Sequence, residues 1–460
     1  MKSKNTVKVC IVGGGGKIGY VLAEKLSEGG CEVTCIDNSP AVIDRIGNTF
    51  DIICYQGNGA SYDILKEAGA AECDIFIAVT GADELNILSC LIAHKMGAKN
   101  TIARVRSVEY ATKSDFYRES FGLSMTINPE FAAAKEIHRL LHFPLATRIE
   151  LFAKGRAELV EMKVENGNAI IGKSLYEFNK NMHINLLICA VVRNGNIIIP
   201  KGDFVIEADD VLYITGSTKE FNQSFKKMNI AVRPVNSVII SGASRIGYYL
   251  AGLLYKEGTK VTVVEKNHTV SSELAGAIPG ISVMCSDAME YFASLSESDI
   301  RNTDACVALT NNDEYNLIMS MYARSRNIYR VITKMNSRST LKELQKDTDI
   351  CRVSKEDAAT DIILGYARSL MAAENMDAIE SMYRLMDGKL EFIEFVVRSE
   401  EQFLNKPLKE LRLKSGLLIA SIIRGRLPII PRGDDVIKKG DSVLVVTVDQ
   451  QITCMQDIFL

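Results

Sequence analysis

The sequence predicts an α/β protein made of two doubly wound parallel-sheet domains, each followed by a small α+β domain. Short runs of apolar, β-branched residues alternate with helical segments in two long regions, which is typical of parallel sheets. The order of motifs then returns after about 230 residues. A chain of 460 residues is also too long for one ordinary domain.

The first unit begins with a strand, a glycine-rich turn and a helix. The apolar run 7–12 stops at glycines, and helical spacing follows in residues 20–26. Gly14, Gly16 and Gly19 fit the pattern G-x-G-x-x-G. We expect Gly14 to permit a sharp turn, Gly16 to let a diphosphate approach the backbone, and Gly19 to let the helix lie close to the strand.

Asp37 ends the second predicted strand and completes this Rossmann-like fingerprint. The helix start offers unpaired N–H groups to a diphosphate, and a carboxylate at position 37 accepts ribose hydroxyls. The carboxylate would repel a 2′-phosphate. The pattern therefore predicts NAD(H) or an adenine nucleotide, and the alternative is a glycine-rich turn that binds nothing.

The alternation continues along the chain. Further strands are predicted at 51–55, 74–80 and 101–105, with helices at 62–68 and 84–96. A helix follows from Pro129 to Leu141, with proline favourable at its start and Pro144 stopping it.

The region after this helix has a different character. Short strands are predicted at 158–164, 187–192, 197–199 and 211–215, and Asn166-Gly167 and Asn194-Gly195 are hairpin-turn dipeptides. This pattern predicts a small α+β domain.

The whole unit then repeats. Gly14 and Gly242 are 228 residues apart, as are Asp37 and Glu265, and Thr80 returns as Thr310. Ordered matches across the full unit indicate a tandem duplication. The predicted domains are a Rossmann-like domain at 1–127 with a crossover helix at 128–145, a small domain at 146–231, a second Rossmann-like domain at 234–365 and a second small domain at 366–460.

Composition excludes several classes of protein. A net charge of −3 without a long basic run argues against nucleic acid as the main partner. Eleven cysteines without C-x-x-C argue against a zinc site or a disulfide framework and fit a reducing compartment. The longest apolar run, 186–192, is far shorter than the roughly 20 residues that span a bilayer, so no direct membrane insertion is expected and a membrane role would come through a partner.

Two other motifs favour structural roles. His138 and His142 lie four residues apart but lack the glutamate of H-E-x-x-H, which favours a helix surface, and no metal site is predicted. Asp83-Glu84 and Asp313-Glu314 follow strand ends, where we expect them to cap helices and shape a ligand pocket.

The order of motifs resembles the RCK (regulator of potassium conductance) family over essentially the whole chain. The resemblance rests on the turn 14–19, the loop 57–60, the segments 78–86 and 102–104, and Ile127-Asn128-Pro129-Glu130. The doubled arrangement is similar to regulatory subunits of Trk-type potassium uptake systems. It implies a homotetrameric cytoplasmic ring, peripheral at the inner face of the cell membrane through a potassium-translocating membrane subunit of the Trk type, whose gate responds to nucleotide.

The resemblance also implies site residues in the first repeat. The diphosphate would be held by the glycine turn, the ribose by Asp37, the adenine edge by the loop after the third strand, and the distal part of the ligand by the ends of the fourth and fifth strands. These residues are Gly14, Gly15, Gly16, Lys17, Ile18, Gly19, Asp37, Asn58, Gly59, Thr80, Gly81 and Arg104.

The second repeat departs from this pattern. Ser244 replaces the middle glycine, Arg245 offers a charged contact to phosphate, and Lys334 replaces Arg104. The implied residues are Gly242, Ser244, Arg245, Ile246, Glu265, Asp287, Ala288, Thr310 and Lys334. We expect NAD(H) in the first site and consider ATP or ADP in either; the alternative for the second site is a degenerate copy kept for ring geometry.

Two other functions stay open at the level of sequence. An NAD-dependent oxidoreductase uses the same fingerprint but needs a substrate domain with an acid–base group, and the small domains carry one histidine, His183, between them. A sensor of small molecules such as cyclic dinucleotides, bound in the small domains, is the third possibility. The expected function is regulatory rather than enzymatic.

Overall fold

The structure is a computed structural model of the chain. It describes residues 6–50, 52–107, 120–143, 146–152, 156–164, 166, 168, 170–177, 186–216, 220–221, 223–224, 233–336, 350–374, 379–385, 389–398, 400–425, 427–448, 452 and 454–460. The chain forms two compact units, one of residues 1–138 and 236–367 and the other of residues 139–235 and 368–460.

The first unit contains the two predicted parallel sheets. The first sheet has the order β3-β2-β1-β4-β5-β6. Its strands are β1 Lys8–Val12, β2 Glu32–Asp37, β3 Ile53–Gln56, β4 Ile75–Ala78, β5 Asn100–Arg104 and β6 Met125–Ile127. The helices are α1 Lys17–Glu28, α2 Pro40–Thr49, α3 Tyr62–Glu67, α4 Asp83–Met96 and α5 Pro129–His142.

The second sheet repeats this topology as β14-β13-β12-β15-β16-β17. Its strands are β12 Ser237–Ser241, β13 Lys260–Glu265, β14 Ser282–Cys285, β15 Ala305–Ala308, β16 Arg330–Lys334 and β17 Cys351–Val353. The helices are α6 Arg245–Lys256, α7 His268–Ala277, α8 Ala288–Ser294, α9 Glu297–Arg301, α10 Asp313–Ser325 and α11 Lys355–Glu374.

Both sheets are buried on two faces, as their apolar strands predict. All four residues of β4 and all four of β15 are buried. In the first sheet a core of apolar side chains joins Phe76 of β4 to Leu65 of α3 and to Ala93 of α4. This packing fixes the carboxyl ends of the strands, from which the loops of the candidate site emerge.

The prediction of doubly wound sheets is confirmed, with one strand missed in each. β6 and β17 have three residues each, pair in parallel with β5 and β16, and precede the long helices α5 and α11. Such short edge strands carry too little periodicity to be recognised. α5 begins at Pro129 as predicted; Pro144 lies outside the described residues.

The second unit contains two antiparallel sheets with equivalent strands, β10-β9-β11-β8-β7 and β18-β19-β22-β20-β21. The first comprises β7 Arg148–Phe152, β8 Ala157–Lys163, β9 Leu187–Arg193, β10 Asn196–Ile198 and β11 Val211–Gly216. The second comprises β18 Ile379–Leu385, β19 Leu390–Val396, β20 Leu417–Arg424, β21 Leu427–Ile429 and β22 Ser442–Val448.

Asn194 and Gly195 form the predicted hairpin turn between β9 and β10, with φ of 52° and 78°. Of the other predicted turn, Gly167 lies outside the described residues. The strand β7 was not predicted. It lies at the edge of its sheet and pairs only through β8 within the described strands.

The two antiparallel sheets share one core. Phe152, Leu159 and Tyr213 of the first sheet pack in one cluster with Phe392 and Leu444 of the second. The hydroxyl of Thr215, fully buried, donates to the carbonyl of Ala420 at 2.9 Å. Each small domain therefore completes its core with its duplicate.

Within the part of the chain that the structure describes, no helix is both long and apolar enough to cross a membrane. The longest, α11, has 20 residues but carries several charged side chains.

Candidate functional site

The loops of both parallel sheets converge where strand order reverses, between β1 and β4 and between β12 and β15. In open parallel sheets this switch point is where ligands bind. We call the loop residues at the first switch point the first site and those at the second the second site. Every predicted site residue lies in or next to a loop at the carboxyl end of a strand, or in the first turn of α1, α6 or α8.

The left-handed turn after β1 falls at Gly13, which has φ of +86°. Its N–H donates to the carbonyl of Ile36 at 2.8 Å, and an added Cβ would lie 3.0 Å from the backbone nitrogen of Thr80. Gly242 does the same in the second repeat, with φ of +97°. The expectation that Gly14 provides the sharp turn is therefore wrong: Gly13 provides it.

The two glycine loops differ in length. α1 begins at Lys17 and α6 at Arg245, so three residues separate Gly13 from its helix and two separate Gly242 from its helix. The first loop is one residue longer. The sequence alone does not reveal this extra residue. Residues 13–16 are all glycine, so the G-x-G-x-x-G pattern matches from Gly14 although the turn lies at Gly13.

Gly19 lies where the fingerprint requires a glycine. A Cβ there would lie 2.2 Å from the carbonyl oxygen of Gly13, and a Cβ at Gly247 would lie 2.5 Å from that of Gly242. Each helix therefore packs directly against the turn before it, as expected.

The acidic residue after the second strand holds the glycine loop in both repeats. The carboxylate of Asp37 accepts the N–H of Gly15 at 3.0 Å and that of Ser39 at 3.1 Å. The carboxylate of Glu265 accepts the N–H of Ala243 and that of Asn267, both at 2.9 Å. The longer side chain, Glu265, therefore holds the shorter glycine loop of the second repeat, and Asp37 holds the longer loop of the first. A carboxylate has about four acceptor positions, so each acid retains capacity for ribose hydroxyls.

A buried asparagine organises the far end of each site. The side-chain oxygen of Asn86 accepts from the backbone N–H and the hydroxyl of Thr80 at 2.8 and 2.7 Å, and its amide donates to the carbonyl of Arg104 at 2.9 Å. Asn316 makes the equivalent bonds to Thr310 and Lys334 at 2.9, 2.6 and 3.1 Å. Both amides are fully buried.

The cations at the ends of β5 and β16 are held close to this network. Arg104 donates to the carbonyl of Thr80 at 3.1 Å, and Lys334 lies 3.5 Å from the side-chain oxygen of Asn311. Burial, with Arg106 nearby, lowers the pKa of Arg104, and burial, with Lys355 nearby, lowers the pKa of Lys334. A ligand anion would relieve the cost of burying either charge.

Asp83 and Asp313 accept hydrogen bonds from the residues after β5 and β16, not from the first N–H groups of their own helices. The carboxylate of Asp83 accepts the backbone N–H groups of Arg106 and Ser107, both at 2.8 Å, and Asp313 binds the backbone and amide N–H groups of Asn336 at 3.0 and 2.8 Å. The expectation that they cap their own helices is wrong. They fix the turn that follows β5 or β16.

The second site is a cavity of about 630 Å³, a size that accommodates a small ligand. Its lining includes predicted site residues: Gly242, Ser244, Glu265, Asp287, Ala288 and Thr310. It also includes Tyr315, which belongs to none of the predicted site motifs. Tyr315 is the residue before the repeated asparagine, a position that could have suggested it.

Asp287 and Tyr315 interact directly. The tyrosine hydroxyl donates to the carboxylate at 2.8 Å, and the N–H of Met289 donates to the same oxygen at 2.8 Å. Burial opposes ionisation of Asp287, but these hydrogen bonds outweigh it, and its pKa is lowered. Burial together with the carboxylate raises the pKa of Tyr315 to about 12. The pair is therefore an ionised acceptor and a neutral donor at neutral pH.

The basic residues at the starts of α1 and α6 point toward the other repeat within the same unit. Lys17 donates to the side-chain oxygen of Asn336 at 2.8 Å. Arg245 lines a cleft of about 390 Å³ together with Arg106 and residues 81–84. Lys17 therefore contacts the loop that follows the fifth strand of the opposite sheet, and Arg245 shares a cleft with the equivalent loop of the first repeat.

Family comparisons agree with this organisation. The TrkA-N domain family matches residues 10–129 and 238–356, and the TrkA-C domain family matches residues 159–229 and 392–460. The chain belongs to the TrkA family. The resemblance to RCK proteins and the fold class of alternating parallel and antiparallel domains are thereby confirmed.

Relatives in the TrkA family match along the full length. The Trk system potassium uptake protein TrkA homolog of Archaeoglobus fulgidus is 32% identical over 453 residues, covering 98% of this chain and 99% of that protein. The Trk system potassium uptake protein TrkA of Haemophilus influenzae is 27% identical over 448 residues, covering 96% of each. Among solved structures, the GsuK channel bound to NAD shares the fold, with a TM-score of 0.61 at 16% identity over 98% of this chain and 78% of that chain.

The TrkA-N matches place both glycine loops within the same domain type, although their lengths differ. What sequence reasoning identified were the residues that recur in both repeats. What it missed were the longer first loop, Tyr315 and the orientation of Lys17 and Arg245 toward the other repeat, because these features depend on which groups the fold brings together.

Proposed function

We propose that this chain is a nucleotide-binding regulatory subunit that gates a potassium-translocating membrane partner of the Trk type. The observation that carries the proposal is that relatives over the whole length are Trk system potassium uptake proteins. The organised switch-point site in the first repeat agrees with it. By the same likeness, the chain works at the inner face of the membrane as a homotetrameric ring. The domain limits at 1–127, 146–231, 234–365 and 366–460 belong to this proposal.

NAD(H) is the ligand proposed for the first site, and ADP or ATP remains an option for either site. The diphosphate would contact the N–H groups at the start of α1, between Gly16 and Gly19, where the helix dipole favours an anion. Asp37 would accept the ribose hydroxyls, and Asn58 with Gly59 would meet the adenine edge. Thr80, Gly81 and Arg104 would contact the distal part of the ligand.

The regulatory effect is proposed to be a population shift. A nucleotide transmits a signal only when it binds one arrangement of the domains more tightly than another. The contact of Lys17 with Asn336 joins the first glycine loop to the opposite repeat. A diphosphate on α1 competes for Lys17, so this contact is a physical route from ligand to domain arrangement.

A calorimetric titration of NADH, then ADP and ATP, into the purified protein tests the binding step. Saturable binding from which Asp37→Ala removes one site per chain supports the first site. Absorbance of NADH followed over time separates a regulator from an oxidoreductase: a regulator leaves NADH unconsumed, whereas steady consumption would identify an enzyme.

Potassium flux tests the regulatory step. Vesicles containing a Trk-type membrane subunit are measured with this protein added, with and without NADH or ATP. A change in flux that depends on nucleotide and is lost with Asp37→Ala supports gating. Flux that never responds to the added protein would overturn the proposed role.

A further inference from the structure

The helices that surround the two sites begin differently. In the second repeat each of three helices is capped by the side chain that precedes it. Ser244 accepts the N–H of Gly247 at 3.4 Å, Asn267 accepts those of Thr269 and Val270 at 3.0 and 3.2 Å, and Asn312 accepts that of Tyr315 at 2.6 Å. Ser244, Asn267 and Asn312 all line the 630 Å³ cavity.

The first repeat leaves the equivalent helix starts uncapped. The residues before α1, α2 and α4 are Gly16, Ser39 and Ala82, and none of these makes a side-chain capping bond in the described part of the chain. Gly16 and Ala82 have no group that could do so. Ser39 donates its backbone N–H to Asp37, as Asn267 does to Glu265, but unlike Asn267 it makes no side-chain capping bond.

This difference changes what each site offers to an anion. An uncapped helix start has N–H groups without a protein acceptor, and a phosphate oxygen can take that role. At a capped start, a phosphate must first displace the side-chain acceptor. Replacing one hydrogen bond by another adds little to the free energy of phosphate binding. Ser244 also carries a Cβ and a hydroxyl at the position where a diphosphate approaches the helix in this fold.

The second cavity nevertheless provides acceptors for the other half of a nucleotide. Glu265 and Asp287 present carboxylates, and Tyr315 lines the same space. Ribose hydroxyls and the adenine amino group are donors that match such acceptors. The cavity therefore suits a nucleoside better than a diphosphate.

We propose that the two sites divide the recognition of adenine nucleotides: the first binds through the diphosphate, and the second binds the nucleoside, with Ser244 as the residue that removes its phosphate subsite. This inference rests on the proposed function, because it assumes that the switch points bind adenine compounds.

Exchange of one residue between the repeats is structurally permitted. Gly16 has φ of −65° and ψ of 160°, and Ser244 has φ of −61° and ψ of 169°, so either residue fits either position without backbone strain. A Cβ at position 16 would have its nearest contact at 3.3 Å, with the carbonyl oxygen of Gly13. Exchanging the residues at positions 16 and 244 therefore tests the effect of the side chain rather than a change of backbone conformation.

Adenosine, AMP and ADP are titrated into the full-length protein by calorimetry. Asp37→Ala leaves the second site as the binding site, and Glu265→Ala leaves the first. We expect the first site to bind ADP at least about tenfold more tightly than adenosine, and the second to bind all three within about threefold. Ser244→Gly added to Asp37→Ala should give the second site an ADP preference of about tenfold.

Alanine variants separate the hydroxyl from the Cβ. Ser244→Ala removes the cap but keeps the Cβ, and Gly16→Ser and Gly16→Ala make the reciprocal changes in the first site. Gly16→Ser should weaken ADP binding by about tenfold and leave adenosine binding unchanged. Circular dichroism verifies that each variant is folded.

Several results would overturn the inference. These are a second site that prefers ADP by tenfold with Ser244 intact, a second site that binds none of the three compounds, or Gly16→Ser without effect on ADP. If only this pattern fails and the first site still binds NADH, the proposed function stands. If neither site binds any nucleotide, the proposed function fails as well.

Discussion

Asn86 and Asn316 are the residues on which the far end of each site depends. Each side chain makes hydrogen bonds with four backbone or hydroxyl groups and is itself fully buried. A buried amide with satisfied hydrogen bonds orders its surroundings, but its removal leaves its partners unpaired. These residues hold Thr80 and Thr310 rather than contact a ligand themselves.

Asn86→Ala should lower the free energy of unfolding by about 2–4 kcal/mol, because two donors and two acceptors each lose a hydrogen-bond partner and a small cavity remains. Asn316→Ala should cost a similar amount. Asn48→Ala is the matched control: Asn48 is exposed in α2, and alanine there should be neutral or slightly stabilising. Urea unfolding measures all three, and equal stability of Asn86→Ala and Asn48→Ala would contradict the assigned role.

Tyr315 and Asp287 predict a pH dependence of stability. The pKa of Asp287 is lowered in the folded protein, so its bond from Tyr315 stabilises the fold above the ordinary value of 3.8 and is lost as pH falls through the lower folded pKa. Tyr315→Phe should therefore cost about 1 kcal/mol at pH 7 and progressively less in acid. Urea unfolding at a series of pH values checks this, and a cost independent of pH would refute it.

At the scale of elements, the approach of α1 to its turn sets the geometry of the first site. The helix start can face a ligand only because Gly19 lacks a Cβ beside the carbonyl of Gly13. The equivalent contact at Gly247 is slightly longer. The first helix therefore tolerates less added volume than the second.

Gly19→Ala should destabilise the protein by about 1–3 kcal/mol and weaken NADH binding, because α1 must move away from its turn. Gly47→Ala is the matched control in α2, since an added Cβ there meets nothing within 4 Å among the described residues. It should be stabilising by about 0.5–1 kcal/mol because alanine is the better helix former. Thermal unfolding of both variants measures these changes. An equal loss of stability in both would contradict a specific clash between residue 19 and the turn at Gly13.

Most elements were predictable from periodicity alone, and the exceptions are instructive. β4 and β15 are fully buried apolar runs between clear turn signals, so they stand out in the sequence. β6, β17 and β7 lie at sheet edges, and the first two have only three residues each. Edge strands are defined by pairing with a neighbour more than by their own pattern, which is why they were missed.

At the scale of the whole molecule, a nucleotide bound only by the folded protein adds to its stability. At a free concentration 100 times its Kd, NADH should raise the free energy of unfolding of the domain that binds it by about 2.7 kcal/mol. Asp37→Ala should abolish the part of this gain that comes from the first site, and Glu265→Ala should leave that part intact. Differential scanning calorimetry with and without NADH measures it; an equal gain in the Asp37→Ala variant would place the ligand elsewhere.

The duplication also has a consequence for how the domains are grouped. Along the sequence each parallel sheet is followed by a small domain, yet in the folded chain the two parallel sheets form one unit and the two small domains form the other. The shared core around Phe392 and Tyr213 shows the reason in the second unit: each small sheet has an apolar face that its duplicate covers.

The sequence by itself determined the fold class, the duplication and the positions of the loops at the strand ends, because these follow from local periodicity, glycine placement and repetition. Only the tertiary structure decided that Gly13 rather than Gly14 turns the chain, that Asp83 fixes a distant turn, and that the helix starts of the second site are capped. These features depend on which backbone groups meet across the fold. A single sequence fixes residue types and spacing, whereas a hydrogen bond needs two groups brought together by packing.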